Sequence, residues 1–136
     1  MALRTGIDIV EIGRLDEINP AIRARFIERV FTPEEQRLTR GASASLAGRF
    51  AAKEAVSKAL GTGIGRVNWR HIEILRGPAG EPVLQLHGFA REVAERLGLT
   101  SWSVSISHGR QHAVAVAVAL GPDDPPSHPH ENIIGQ

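Results

Sequence analysis

A chain of 136 residues, 42% hydrophobic and 23% charged, is long enough for one globular domain and too short for two of ordinary size. With no cysteine it has no disulfide framework, thiolate nucleophile or thiolate metal site, so any metal must be held by carboxylate, imidazole or water, which selects hard cations. Residues 1–120 carry all 16 Lys and Arg, while Asp123, Asp124 and Glu131 fall in the tail, so the net +1 of the whole becomes +4 on the domain. That modest excess suits an acidic partner or a phosphate ligand, and the 4% aromatic content argues against a nucleic-acid partner.

The longest apolar run, Ala113 to Leu120, is far short of the roughly 20 residues that span a bilayer, and Asp8 and Glu11 interrupt any signal-peptide core. No membrane partner is expected, and the cytoplasm is the expected location. Leu3 to Ile12 reads as a strand, with Ile7 and Ile9 on one face and Gly6, Asp8 and Val10 on the other. Pro20 to Val30 reads as a helix. Thr32-Pro33-Glu34-Glu35 has the capping-box pattern of a second helix running to Arg40, where Gly41 ends it. A long helix is predicted from Ser43 or Ser45 to Leu60, stopped by a glycine-rich loop over residues 61–65.

His71 to Leu75 and Pro82 to Leu86 alternate around Gly77-Pro78-Ala79-Gly80 and predict a β-hairpin. Phe89, Val93, Ala94 and Leu97 then form the apolar stripe of a helix that Gly98 caps. A second hairpin joins Trp102–Ser107 to Ala113–Leu120. The expected architecture is α+β, an antiparallel sheet packed against one long helix plus shorter helices, in a single domain over residues 1–120. Residues 121–136, rich in Pro, Asp and His, are expected to form a disordered tail.

Two carboxylates stand out. Asp8 lies within a strand, where aspartate is depleted, and a half-buried carboxylate needs a cation or hydrogen-bond donors. A structural pair with Arg14 is one reading and a ligand site the other, with Gly6 on the same face leaving room for a ligand. On the long helix, Ala52, Ala55, Val56, Ala59 and Leu60 define a sheet-packing face, while Ala47, Phe50, Ala51, Glu54 and Lys58 fall on the opposite stripe. Glu54 and Lys58, one turn apart, could be only an exposed ion pair worth about 0.2–0.5 kcal/mol. The small and apolar residues beside them instead suit a docking ligand or subunit. Asp8 and Glu54 could share a divalent cation, with water and substrate phosphate completing the shell. His108 and His112 read as separate turn histidines, and His128 and His130 as part of the solvated tail.

Three segments together resemble a known family: Gly6-Ile7-Asp8-Ile9-Val10-Glu11-Ile12, then Arg49-Phe50-Ala51-Ala52-Lys53-Glu54-Ala55 with Lys58-Ala59-Leu60-Gly61-Thr62-Gly63, then Ser105-Ile106-Ser107-His108 followed by Ala113-Val114-Ala115-Val116. The chain resembles the holo-acyl-carrier-protein synthases, the small single-domain branch of the 4′-phosphopantetheinyl transferases, from about Thr5 to Val118. The resemblance implies transfer of 4′-phosphopantetheine from coenzyme A to a serine of an apo acyl carrier protein, releasing adenosine 3′,5′-bisphosphate and requiring Mg²⁺. It implies Asp8 and Glu54 as metal ligands, Glu54 and Lys58 as catalytic residues, and Arg49, Lys58, Gly61, Thr62, Gly63 and His108 as contacts to the coenzyme. Either Glu54 or a water on the metal is left to take the serine proton. Homotrimers with interfacial active sites are also implied. Arg14, Arg23 and Arg25 are expected to receive the acidic carrier.

Two other readings compete. A hot-dog-type acyl-coenzyme A thioesterase also wraps a sheet around a long helix but leaves Asp8, Glu54 and Lys58 without a role. A trimerising interaction module would make those residues structural ion pairs.

Overall fold

The computed structural model describes residues 2–62 and 67–122. In chain order these form β1 (Ala2–Glu11), α1 (Gly13–Glu17), α2 (Pro20–Val30), α3 (Pro33–Thr39) and α4 (Ser43–Leu60). A 3₁₀ turn at Trp69–His71 then precedes β2 (Ile72–Arg76), β3 (Pro82–Leu86), α5 (Gly88–Arg96), β4 (Ser101–His108) and β5 (His112–Gly121). Strands β1, β5 and β4 form an antiparallel sheet in that order, and β2 and β3 form a separate hairpin. Gly121 at the end of β5 still pairs with Ala2, and residues 123–136 of the expected tail lie outside the described residues.

Local chemistry sets the helix boundaries. Asn19 caps α2 by accepting a hydrogen bond from the Ala21 N–H, and Pro20 takes the first helical position. The Thr32–Glu35 capping box forms with both its reciprocal bonds. Helix α3 ends earlier than Gly41, because Arg40 itself turns left-handed at φ 51°. Helix α1 and the 3₁₀ turn carry no periodic signal, being too short to show one; α1 is held by burial of Leu15 rather than by a capping side chain.

Helix α4 is central, and its surroundings correct the two-faced expectation. On β5, Ala113, Ala115, Ala117 and Ala119 all point inward and are fully buried or nearly so, while the intervening valines face out. This low inward surface lets the sheet lie close on the helix. Ala51 is buried in the main core with Ala55, Ala115 and Ala117, and Ala47 in a second cluster with Leu15, Val30 and Phe31. The small residues expected to admit a ligand or subunit therefore admit the chain's own strands and helices. Gly6 has the same explanation, since a Cβ there would collide with the Ala55 carbonyl of α4. The space it leaves is filled by helix backbone, not by a ligand.

A fully buried ion pair ties three elements together. Lys53 Nζ on α4 donates to Glu35 Oε1 at 2.7 Å, the Ile72 carbonyl at 2.7 Å and the Trp69 carbonyl at 3.0 Å. Glu35 on α3 accepts further bonds from the Thr32 and Ile74 N–H groups. All three ammonium donors and both carboxylate oxygens are thus matched, the condition under which a buried pair is tolerated.

Candidate active site

Strand β1 alternates, so Gly6, Asp8 and Val10 face α4 while Ile7 and Ile9 point away. The collision-free approach at Gly6 brings the next inward residue, Asp8, to the C-terminal half of the helix, where Glu54 and Lys58 project one turn apart. Lys58 Nζ donates to Asp8 Oδ1 at 3.1 Å and to the Ile7 carbonyl at 2.9 Å. Asp8 therefore pairs with Lys58, not with Arg14. Lys58 is committed to β1, and Glu54 enters no ion pair among the described residues, so the simple helical Glu–Lys pair is not formed.

Glu54 is half-buried, and its carboxyl is raised above its usual range by desolvation first and by the neighbouring Asp8 carboxylate second, with Lys58 opposing. A carboxylate that lacks a cationic partner and stands close enough to a second one to be raised by it has the chemistry of a divalent-cation site. No cluster of three or more His, Cys, Asp or Glu able to hold a metal occurs among the described residues. A hard cation here would take two protein oxygens and draw the rest of its shell from water and substrate, the mode in which Mg²⁺ binds phosphates.

Toward the other end of α4 lies a cavity of about 490 Å³ whose lining includes Ser45, Gly48, Arg49, Ile74, Arg76 and His108. Arg49 is 8% exposed and donates through Nε to the Ile74 carbonyl at 3.1 Å and through Nη1 to Ser45 Oγ at 2.9 Å. Burial lowers its pKa, the facing Arg76 lowers it further, and Glu35 opposes. Gly48 makes room for the β4 residues, since a Cβ there would press on Ile106 Cγ2 at 2.9 Å and approach the His108 ring at 3.4 Å. The fold thus groups Arg49 with His108, and Asp8 with Glu54 and Lys58.

Gly61 is the left-handed cap of α4 at φ 75°, overlain by Arg4, whose Nε donates to the Ala59 carbonyl at 2.8 Å. Thr62 Oγ1 is buried with no hydrogen-bond partner among the described residues, and Gly63 lies outside them. Arg14 lines a second cavity, of about 300 Å³, together with Val10, Leu15, Ile22, Phe26 and Phe50. Arg23 is drawn inward, donating to the Leu15 and Gly41 carbonyls and to Ser43 Oγ, while Arg25 is exposed. Lys53 and Arg76 were not singled out as functional from the sequence. Lys53 had a signal, a lone cation inside an apolar helix face, whereas Arg76 at a strand end had none.

The model of the 4′-phosphopantetheinyl transferase superfamily matches residues 4–117. The chain belongs to that superfamily. It is 44% identical over 121 residues to the holo-[acyl-carrier-protein] synthase of Natranaerobius thermophilus, covering 87% of this chain and 97% of that one. The corresponding synthase of Moorella thermoacetica is 51% identical over 121 residues, covering 87% and 92%. The crystal structure of the Helicobacter pylori holo-[acyl-carrier-protein] synthase in complex with coenzyme A superposes with a TM-score of 0.77 at 38% identity, covering 85% of this chain and 99% of that one. Membership of this transferase family sets aside both the thioesterase and the interaction-module readings.

Proposed function

We infer that this transferase moves 4′-phosphopantetheine from coenzyme A to the serine hydroxyl of an apo acyl carrier protein, giving the holo carrier and adenosine 3′,5′-bisphosphate. The observation that carries the reading is the meeting of Asp8, Glu54 and Lys58 where β1 lies on α4, in a chain whose relatives are named for this activity. The serine oxygen bonds to the phosphorus that bears pantetheine, the bond from that phosphorus to the bridging oxygen breaks, and the nucleotide leaves with the released charge. Such a reaction needs positioning and charge neutralisation more than a protein nucleophile.

Asp8 and Glu54 are the residues that would hold Mg²⁺, which when bound supplies Lewis-acid neutralisation of the pyrophosphate oxygens. Lys58 spends two of its three N–H donors on Asp8 and the Ile7 carbonyl, leaving the third for a phosphoryl oxygen. That placement makes it the group that stabilises or protonates the leaving phosphate. Glu54, whose proton affinity is raised by burial and by Asp8, is suited to accept the serine proton. Arg49, His108 and the turn through Gly61 and Thr62 line the nucleotide.

Intact-protein mass spectrometry of an apo carrier incubated with this protein, coenzyme A and Mg²⁺ tests the reading. One added phosphopantetheine is expected, absent with EDTA and with Asp8→Ala. No addition to several unrelated apo carriers by folded protein sinks it.

Arg14, which lines the apolar cavity between α1, α2 and α4, and the exposed Arg25 of α2 form the surface on which an acidic carrier docks. Arg23 supports that surface from within. Added salt should therefore raise KM for the carrier several times more than KM for coenzyme A, and equal sensitivity counts against this docking face. The exposed apolar side chains of Leu3, Ile7, Ile9, Val116 and Leu120 on the outer face of the sheet support assembly into a homotrimer. Among the described residues no helix is long and apolar enough to cross a membrane.

A further inference from the structure

Two side chains tie β1 to the end of α4, one in each direction. Lys58 of the helix donates to the Ile7 carbonyl of the strand at 2.9 Å, and Arg4 of the strand donates through Nε to the Ala59 carbonyl of the helix at 2.8 Å. Gly6 lies between these ties, where the strand backbone meets the Ala55 carbonyl. An α-helix leaves its last four carbonyls without partners of its own. The Gly61 N–H serves those of Ser57 and Lys58, each at 3.0 Å, and the Arg4 guanidinium serves that of Ala59. Arg4 also covers the turn that follows, for a Cβ on Gly61 would come within 2.5 Å of its Nη2. The helix dipole favours a cation at this end of α4 as well.

We propose that Arg4 is a positioning residue for the transfer, holding the last turn of α4 on β1 so that Lys58 keeps its free donor aimed at the leaving phosphate. The assignment rests on the transferase reading and goes beyond it by naming what holds the lysine in place. Glu54 needs no such support, since it sits one turn deeper in α4, beside the fully buried Ala55 that β1 covers. Lys58 belongs to the terminal turn, where helices fray, and its side chain is exposed. Its bonds to Ile7 and Asp8 tether the ammonium but leave the backbone beneath it to Gly61 and Arg4. A shift of about 1 Å in a group that meets the departing oxygen is enough to cost about a hundredfold in rate. A guanidinium suits the task, because its planar fork donates to the carbonyl through Nε while a terminal nitrogen lies over the glycine.

The test compares the wild type with Arg4→Met and Arg4→Lys, each alone and combined with Lys58→Ala, at a temperature where circular dichroism shows every variant folded. Arg4→Met should lower kcat for one apo carrier by about tenfold to a hundredfold while changing KM for coenzyme A and for the carrier by less than about twofold. In the Lys58→Ala background the same change should cost less than about twofold, because the group that Arg4 positions is gone. Arg4→Lys should restore part of the loss, since an ammonium can reach the carbonyl but cannot cover the turn. A rise in KM with kcat unchanged overturns the proposal by placing Arg4 on a substrate. Equal losses in both backgrounds overturn it by separating Arg4 from Lys58, and so does no loss at all. Amide hydrogen exchange reads the same contact without turnover: Arg4→Met should speed exchange at Gly61 by about tenfold or more and leave Ala55 unchanged. If the wild type modifies no apo carrier yet Gly61 loses protection in Arg4→Met, the transferase reading falls and the hold of Arg4 on the turn stands; if the wild type transfers and Gly61 stays protected, the reverse holds.

Discussion

Lys53 and Glu54 are neighbours in sequence with opposite fates, because α4 turns one into the core and the other to the edge of β1. Lys53 is fully buried and matched to three acceptors, so Lys53→Met should leave the Glu35 carboxylate buried and unpaired and cost about 3–5 kcal/mol in chemical denaturation. A cost below about 1 kcal/mol would show that water replaces the ammonium. Glu54 runs the other way. Its carboxyl is raised by desolvation and by Asp8, so the folded state holds that proton more tightly than the unfolded chain does. The resulting stabilisation is complete below the ordinary value of 4.5 and is lost as pH rises through the raised folded value. Without metal, Glu54→Gln should therefore melt above the wild type by a margin that grows as pH rises from 4.5, while transfer is abolished. Mg²⁺ should raise the melting temperature of the wild type and not of the variant. A Glu54→Gln variant that melts no higher at neutral pH refutes the account of the strained carboxylate. Asp8 was legible as a candidate because a carboxylate in a strand needs a reason; its partner was not, since spacing within β1 says nothing about which residue of α4 it meets.

The contact between β1 and α4 is the element that assembles the site, and it depends on backbone lying on backbone at Gly6. Gly6→Ala must push the strand from the helix, because the added methyl meets the Ala55 carbonyl rather than a side chain that could swing aside. Overpacking of this kind costs about 1–3 kcal/mol or more, and it also carries Asp8 away from Glu54. The variant should lose thermal stability and show a greater Mg²⁺ requirement for transfer. A destabilised Gly6→Ala enzyme with the wild-type Mg²⁺ dependence would show that β1 yields without moving Asp8. Most elements were readable in the sequence, since alternation, capping residues and terminal glycines act within a few residues. The sides of α4 were not. A helix rich in alanine shows little contrast between its faces, and here β1, β5 and β4 pack on it together with β2, α1 and α5, so nearly the whole circumference is core. The same shortage of local signal hid α1, whose five residues span too little of a helical period to stand out.

At the scale of the whole molecule, β1 divides its labour by parity. Its inward residue Asp8 meets Lys58 of α4 at the proposed metal site, and its outward residues Leu3, Ile7 and Ile9, each more than 60% exposed, give the sheet an apolar outer face. Burying those three side chains against another copy would remove apolar area from water, worth roughly 25 cal/mol for each Å². Ile9 is the cleaner probe of that face, because Ile7 also lends its carbonyl to Lys58. If this face is the interface of the proposed homotrimer, Ile9→Glu would set like charges of neighbouring copies against one another while leaving the α4 side of the strand untouched, so it should dissociate the assembly to monomers in size-exclusion chromatography with light scattering. If the active site is completed across the subunit interface, transfer should fall by at least tenfold at the enzyme concentrations where monomer predominates, and should recover as concentration rises. A fully active monomer would confine the site to one chain, and an undisturbed assembly would move the interface off this face of the sheet.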